Sequence, residues 1–313
     1  MNVPGMSHRG KVLFLVVAGL CVGLLVAVFG WIIGQMRSAE TVGQSDNPFV
    51  FLVSPTYEAA PEQLAWLSSR MSAEAGFAVA VRRAEDSETA IVAAGASKVD
   101  AWLLPVFDYL FCREEYQVEA GVQVLREGDS RTYRGEIVVR ADSGITTLGG
   151  LSGRRVAFVD PYSTSGFLYP ARLLIEARAA VVPVFAGSHQ AALAALRDGK
   201  VDGAAIYERM AEAGLRVVAT TSEIPNEPIF FRTGVSAELR RRFIDALGRM
   251  AADPRGGDTL RTLGGITGFT PVTDGAYADV HREIDAAGKQ LQDLVPRGWG
   301  VYRENRQPAI GGP

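Results

Sequence analysis

Short apolar runs alternate with segments of helical spacing along most of this chain, and that alternation leaves few folds open. Phe49–Val53 reads as a buried strand ended by Ser54-Pro55, Pro61–Ala75 as a helix, and Phe77–Val81 as the next strand. Ser87–Ala96 then has helical spacing, Val99–Leu104 is a strand and Phe107–Glu115 is a helix. Farther along, Val156–Val159, Val182–Phe185 and Val201–Ile206 read as strands, with a helix over Gln190–Leu196. Parallel strands need a crossover of this kind, so the pattern predicts an α/β fold of mainly parallel sheets flanked by helices. Ligands of such sheets gather at the carboxyl ends of the strands. The loop at Ser163, His189 after one strand and Tyr207 at the end of another all fall there.

Two echoes divide the chain. KVDAW (Lys98–Trp102) and KVDGA (Lys200–Ala204) stand at equivalent places in two helix-then-strand units, which suggests two lobes of like construction. The competing explanation is a chance match of a common helix end and strand start. EIVVR (Glu136–Arg140) and EPIFFR (Glu227–Arg232) flank the second lobe, and are expected to be the two crossover strands of a hinge with the ligand cleft between the lobes. Lobe one is then 48–138 with 228–290, lobe two is 139–227, and 291–313 is a loose tail.

Residues Val12–Gly34 form an uncharged apolar run of 23, long enough for one membrane crossing. Arg9 and Lys11 precede it, so the short N-terminus (1–11) stays in the cytoplasm and everything after the polar linker 35–47 is exported. A cleaved signal peptide is the alternative. The run exceeds the usual apolar core of such a signal and no A-x-A site follows it; Cys21 lacks the small residue before it that lipidation requires, since Leu20 stands there. With net charge −3 and no basic block, nucleic acid is not an expected partner. Three histidines and two cysteines, one of them inside the apolar run, give no metal-ligand cluster, and neither a metal nor a cofactor is expected.

The run Asp160–Pro170, DPYSTSGFLYP, carries the chemistry. Ser163, Thr164 and Ser165 follow a strand directly and precede Gly166. A strand that turns into a helix start leaves backbone N–H groups unpaired, and hydroxyl donors added there make a cradle for a tetrahedral oxyanion. One Ser or Thr would suffice as a helix cap, so the triplet needs a further reason.

These blocks together resemble the solute-binding proteins of phosphate, phosphite and phosphonate ABC importers, which are type 2 periplasmic binding proteins. The match runs through Tyr133–Pro170, FAGSHQAALAALRDGKVDGAAIY (Phe185–Tyr207), IPNEPIFFR (Ile224–Arg232) and FTPVTDGAYADV (Phe269–Val280). The resemblance implies a two-lobe fold joined by two crossover strands, here with an N-terminal transmembrane helix. It implies that Ser163, Thr164 and Ser165 hold a phosphorus oxyanion, with His189 and the cleft residue Tyr133 beside it. Glu227 stands where the family usually has Asp, and could accept a proton carried by the ligand. Ser87 occupies the place of a cleft tyrosine of phosphonate-binding members, and the glutamate that holds a ligand amine is replaced around Tyr207 or Glu208. Those departures favour a small ligand: phosphite, methylphosphonate or phosphate.

The expected protein is therefore a periplasmic, membrane-anchored monomer that delivers its ligand to an ABC permease. The alternative from another class is an oxyanion sensor acting on a partner sensor kinase, with Cys112 as a soft ligand for arsenite; Cys112 as a small core residue is the plainer reading. Catalysis is not expected. Ser165-Gly166 lacks the first glycine of G-x-S-x-G, and no triad follows it.

Overall fold

The computed structural model describes Leu24 and residues 41–286, apart from Glu58, Ser97 and Tyr162. The expected anchor over 12–34, Leu24 excepted, and the tail over 291–313 lie outside the described residues. Among the described residues no helix is long and apolar enough to cross a membrane. The chain divides into two compact units, 1–48 and 49–313. In the first, residues 41–47 close a turn in which the Gly43 N–H donates to the Asn47 carbonyl at 2.8 Å.

The second unit opens with β1 (Phe49–Val53), α1 (Pro61–Ala75), β2 (Val79–Arg83), α2 (Ser87–Gly95), β3 (Ala101–Leu103), α3 (Val106–Tyr116) and β4 (Glu119–Leu125). After β5 (Thr132–Tyr133) come β6 (Gly135–Arg140), β7 (Arg155–Phe158), α4 (Tyr169–Glu176), β8 (Val182–Phe185), α5 (His189–Arg197), β9 (Gly203–Tyr207) and β10 (Leu215–Thr220). The chain returns through β11 (Ile224–Pro225) to β12 (Pro228–Phe231), α6 (Ala237–Ala252), α7 (Pro254–Gly264), β13 (Gly268–Pro271) and α8 (Ala278–Ala286).

Six strands form one sheet in the order β13-β4-β12-β3-β1-β2, and five form another in the order β10-β6-β9-β7-β8. Both are mixed, not mainly parallel. The β2-β1-β3 and β9-β7-β8 cores are parallel, whereas β12, β4 and β13 in the first sheet, and β6 and β10 in the second, pair antiparallel. The cause is the double passage between sheets: a strand entering or leaving across the gap runs against the strands laid down by helical crossovers. The expected hinge strands are also displaced. EIVVR lies inside the second sheet as β6 and PIFF inside the first as β12, while the two passages form a separate two-stranded antiparallel ladder, β5 with β11.

The echo between KVDAW and KVDGA is one structural device used twice. In each case the aspartate N–H donates to a backbone carbonyl on the neighbouring parallel strand, and its carboxylate accepts from the N–H of that same residue. Asp100 does this with Val50 (2.9 and 2.8 Å) and Asp202 with Arg155 (2.8 and 3.1 Å). Only Asp100 adds a buried ion pair, from Arg232 Nη2 to its Oδ1 at 2.7 Å.

Side-chain alternation at period two gives each face of the second sheet its own core. Ile137, Val139, Val156 and Phe158 pack with Leu174 of α4 on one face, while Val138, Ala157 and Ile206 pack with Leu193 and Leu196 of α5 on the other. In the first sheet Val50, Leu52, Trp102 and Phe230 face α2 and α3. Phe49 and Phe51 pack against Phe243 of α6 on the opposite face. All five residues of β1 are buried, as a strand covered on both sides must be.

The outer edge of the first sheet is closed by a helix. Ser68 and Ser72, one turn apart on α1, accept the N–H groups of Val81 and Val79 of β2 at 2.9 and 2.8 Å, and so satisfy the donors of an edge strand. Replacing either serine with alanine leaves one of these N–H groups unpaired. We expect a loss of about 1–2 kcal/mol per serine, read as a lower urea midpoint; an unchanged midpoint in the double variant would show that water replaces the hydroxyls.

Candidate functional site

β7 ends at Phe158, and the residues after it fold back on themselves. The Val159 N–H donates to the Gly166 carbonyl at 3.1 Å and the Ser163 N–H to the Asp160 carbonyl at 3.3 Å. Ser163 caps the following turn, its Oγ accepting from the Gly166 N–H at 3.0 Å. The turn over Thr164–Leu168 is a wide π-turn, with the Leu168 N–H reaching the Ser163 carbonyl at 3.0 Å. Turns of this kind recur at functional positions. One serine therefore does the capping, and Thr164 and Ser165 are free of that duty. Both are buried; Thr164 Oγ1 has no partner among the described residues, and the Ser165 hydroxyl meets the Tyr133 phenol. Gly166 permits this arrangement: a Cβ there would lie 2.3 Å from Val159 Cγ2 and 2.6 Å from Ser163 Oγ.

β9, β7 and β8 are adjacent and parallel, so their carboxyl ends open on one edge. His189 opens α5, behind its cap Ser188. Its Nδ1 is buried without a partner among the described residues, and its ring stands edge-on to Tyr207 with centroids 5.0 Å apart. Burial lowers the imidazole to about 4, so at neutral pH it is an uncharged donor or acceptor rather than a cation. Tyr207 is 39% exposed and forms the outer wall of this corner.

Tyr133 lies on the β5–β11 ladder opposite Ile224. Burial, with Glu227 nearby, keeps its phenol protonated well above its ordinary value. Glu227 itself is engaged elsewhere: Arg126 Nη1 and Nη2 hold its two carboxylate oxygens at 2.8 and 3.1 Å, with Tyr57 against the guanidinium. Next to it Asn226 is wholly buried, and its side-chain amide donates to the Val124 and Ser130 carbonyls at 3.1 and 2.8 Å. Glu227 and Asn226 thus brace the passage between the sheets.

Ser87 opens α2 on the first-sheet side, its hydroxyl lying against the carboxyl of Asp108. Cys112, on α3, is wholly buried in the core. Burial, and then Asp108, raise its thiol well above its ordinary range, so the soft-ligand alternative would need a thiolate in a setting that opposes one. Among the described residues no group of three or more His, Cys, Asp or Glu could hold a metal ion. The structure thus gathers Ser163, Thr164, Ser165 and Tyr133 at one point and His189 with Tyr207 at the same sheet edge; it commits Glu227 to Arg126 and buries Cys112. Reasoning from sequence missed Arg126, Tyr57 and Asp108. Only Asp108 left a signal, as an acid inside the apolar stretch Val106–Cys112.

Two mixed α/β sheets joined by a two-strand passage, with unpaired polar groups at the strand ends, define the architecture of a periplasmic binding protein. Residues 51–277 match the model of the family described as ABC transporter, phosphonate, periplasmic substrate-binding protein, and the chain belongs to that family. The phosphate-import protein PhnD of Mycolicibacterium smegmatis is 28% identical over 201 residues, which is 54% of this chain and 63% of that protein. The chain thus spans less than two thirds of that curated relative's length. A binding-protein component of an ABC phosphonate transporter from Pseudomonas aeruginosa shares the fold, with a TM-score of 0.64 at 18% identity over 82% of this chain and 95% of that one. So does PhnD1 of Prochlorococcus marinus, solved with methylphosphonate, with a TM-score of 0.66 at 16% identity over 78% of this chain and all (100%) of that one.

Proposed function

We propose that this protein is the extracytoplasmic solute-binding component of an ABC importer, and that it captures a small phosphorus oxyanion: phosphite, phosphate or an alkylphosphonate. The observation that carries this reading is the Ser163–Gly166 turn, whose buried Thr164 hydroxyl lacks a partner among the described residues at the carboxyl end of a parallel strand. Ser163, Thr164 and Ser165 donate to the oxyanion, His189 adds an imidazole nitrogen, and Tyr133 positions Ser165. Tyr207 and Ser87 line the rim. Glu227 acts by holding Arg126 at the passage between the lobes rather than by touching the ligand.

The sheets act as two lobes that close on the ligand about the β5–β11 ladder, with the set of donors complete only in the closed form. Hydrogen bonds to a charged group contribute about 1.5–3 kcal/mol each, so a few of them reach micromolar affinity. The closed, loaded protein delivers its ligand to the permease as a monomer, tethered in the cytoplasmic membrane by residues 12–34. No catalytic step is assigned to it.

Titration calorimetry on the detergent-solubilised full-length protein tests this, using phosphite, phosphate, methylphosphonate, 2-aminoethylphosphonate and arsenite. We expect micromolar or tighter binding of at least one phosphorus oxyanion, unchanged in Cys112→Ser. Failure of all four phosphorus compounds, or arsenite binding lost with the thiol, would overturn the reading.

A further inference from the structure

The first-sheet side of the site holds a group that this set of donors does not use. Asp108, near the start of α3, is 0% exposed, and neither of its carboxyl oxygens has a hydrogen-bond partner of good geometry among the described residues. Buried carboxyls in folded proteins are nearly always satisfied, so an unpaired one in the first helical turn after the carboxyl end of the parallel strand β3, where ligands of such sheets gather, points to a ligand. Three groups face it: the Ser87 hydroxyl from α2, Asp160 from the segment after β7, and Cys112 one turn along its own helix. Asp160 opens the run that becomes Ser163–Ser165, so the negative charge at the start of the second sheet's hydroxyl turn is felt at Asp108. Burial pushes its carboxyl up to about 8, the Ser87 hydroxyl pulling it down and Asp160 pushing it up. At neutral pH the group keeps its proton and has one O–H to donate, and an O–H donated to an oxyanion is among the stronger hydrogen bonds available to a protein.

We propose that Asp108 is a specificity-determining residue that meets the bound oxyanion as a carboxylic acid, so that the ligand is held with one proton between itself and Asp108. The inference rests on the reading of the Ser163–Ser165 turn as an oxyanion cradle. The proton is the carboxyl's own and no bond is broken. Ionised Asp108 would stand as a second negative charge beside the ligand, with Asp160 already near. Affinity therefore holds while the carboxyl is protonated and falls about tenfold per pH unit once it ionises. His189, near 4, and the Tyr133 phenol and Cys112 thiol, well above their ordinary values, lie outside that window.

The test is calorimetry on the full-length protein from pH 6 to pH 10, with phosphite and methylphosphonate as probes, for the native chain and for Asp108→Asn. The ligand's own ionisation is common to both proteins and cancels in their ratio. Asp108→Asn keeps a donor but cannot ionise, so it should bind about three- to tenfold more weakly at pH 7 and lose the alkaline fall, the two affinities converging and then crossing as pH rises. Parallel pH profiles for the two proteins would overturn the proposal and leave the oxyanion reading intact. So would 2-aminoethylphosphonate binding more tightly than methylphosphonate only when Asp108 is present, which would make it an ionised acceptor for an amine. Absence of oxyanion binding at every pH would overturn both readings. If the asparagine variant fails to fold, the native profile alone decides, since a ligand-corrected affinity that stays flat between pH 7.5 and pH 10 contradicts a carboxyl that must stay protonated.

Discussion

On the proposed function, an alanine at Gly166 should lower the affinity for phosphorus oxyanion by about a hundredfold, the scale of losing one or two hydrogen bonds to a charged group. The added Cβ would sit 2.3 Å from Val159 Cγ2, 2.7 Å from Val159 Cβ and 2.6 Å from Ser163 Oγ, all on the inner side of the turn. These atoms cannot simply rotate away. Val159 is buried, and Ser163 Oγ is held by the Gly166 N–H itself. The turn must open, and it takes with it the Thr164 and Ser165 hydroxyls that depend on its shape. Overpacking of this kind also costs stability, about 1–3 kcal/mol, so thermal melts should accompany calorimetry. Removing the clash from the other side, with Val159→Ala in the same chain, should recover part of both losses. Affinity within threefold of native in Gly166→Ala would mean that the turn is not the ligand cradle.

Replacing Arg126 with methionine should have the largest effect on stability. Its guanidinium holds both oxygens of Glu227, and the two side chains are only 24% and 15% exposed. Without the arginine the carboxylate is left mostly buried and uncompensated. Breaking a fully buried pair in this way costs about 3–5 kcal/mol; the remaining exposure here brings the expectation to about 2–4 kcal/mol. An apolar pair of similar volume removes the stranded charge, so Arg126→Met with Glu227→Leu should be more stable than Arg126→Met alone, as urea unfolding of the three chains would reveal. A double variant less stable than the single would mean that Glu227 has other partners at the passage and that the ion pair is not its main role.

The parts of this fold written in short-range pattern were readable from the chain. Phe49–Val53 is apolar at every position because the strand is covered on both faces, and the helix over Pro61–Ala75 begins at a proline and stops before a left-handed Gly76. The STSG run was legible because three hydroxyls exceed what a cap needs. The two KVD segments pointed to like construction because each follows a helix and opens a strand; the reciprocal aspartate pairing they share is a contact across strands and carries no local signature. Other features carry no local signature. β4, the sequence EAGVQVL, has a glycine and a glutamate where an apolar run would announce a strand, and its place is fixed by β12 and β13, which come much later. EIVVR and EPIFFR suggest the crossovers because they look alike and flank the second lobe; the β5–β11 ladder is only two residues on each strand, too short for any periodicity. Arg126 and Glu227 meet only through the tertiary fold. An aspartate on a helix reads the same in sequence whether it faces solvent or, like Asp108, is wholly buried.

The place of β12 has a consequence for how the chain reaches its native state. This strand lies between β3 and β4, pairing Phe230 with Trp102 on one side and with Ala120 on the other, yet it follows the whole second sheet in the chain. A nascent polypeptide emerging N-terminus first can complete the second sheet, whose strands are contiguous from β6 to β10, while the first still has an open slot between β3 and β4. Until β12 arrives, those two strands present unpaired backbone edges and the aromatic surface of Trp102 lies uncovered. Such intermediates are slow to resolve and prone to self-association. The second sheet should therefore acquire protection from amide exchange first during refolding, with the first sheet locking only when its missing central strand is inserted.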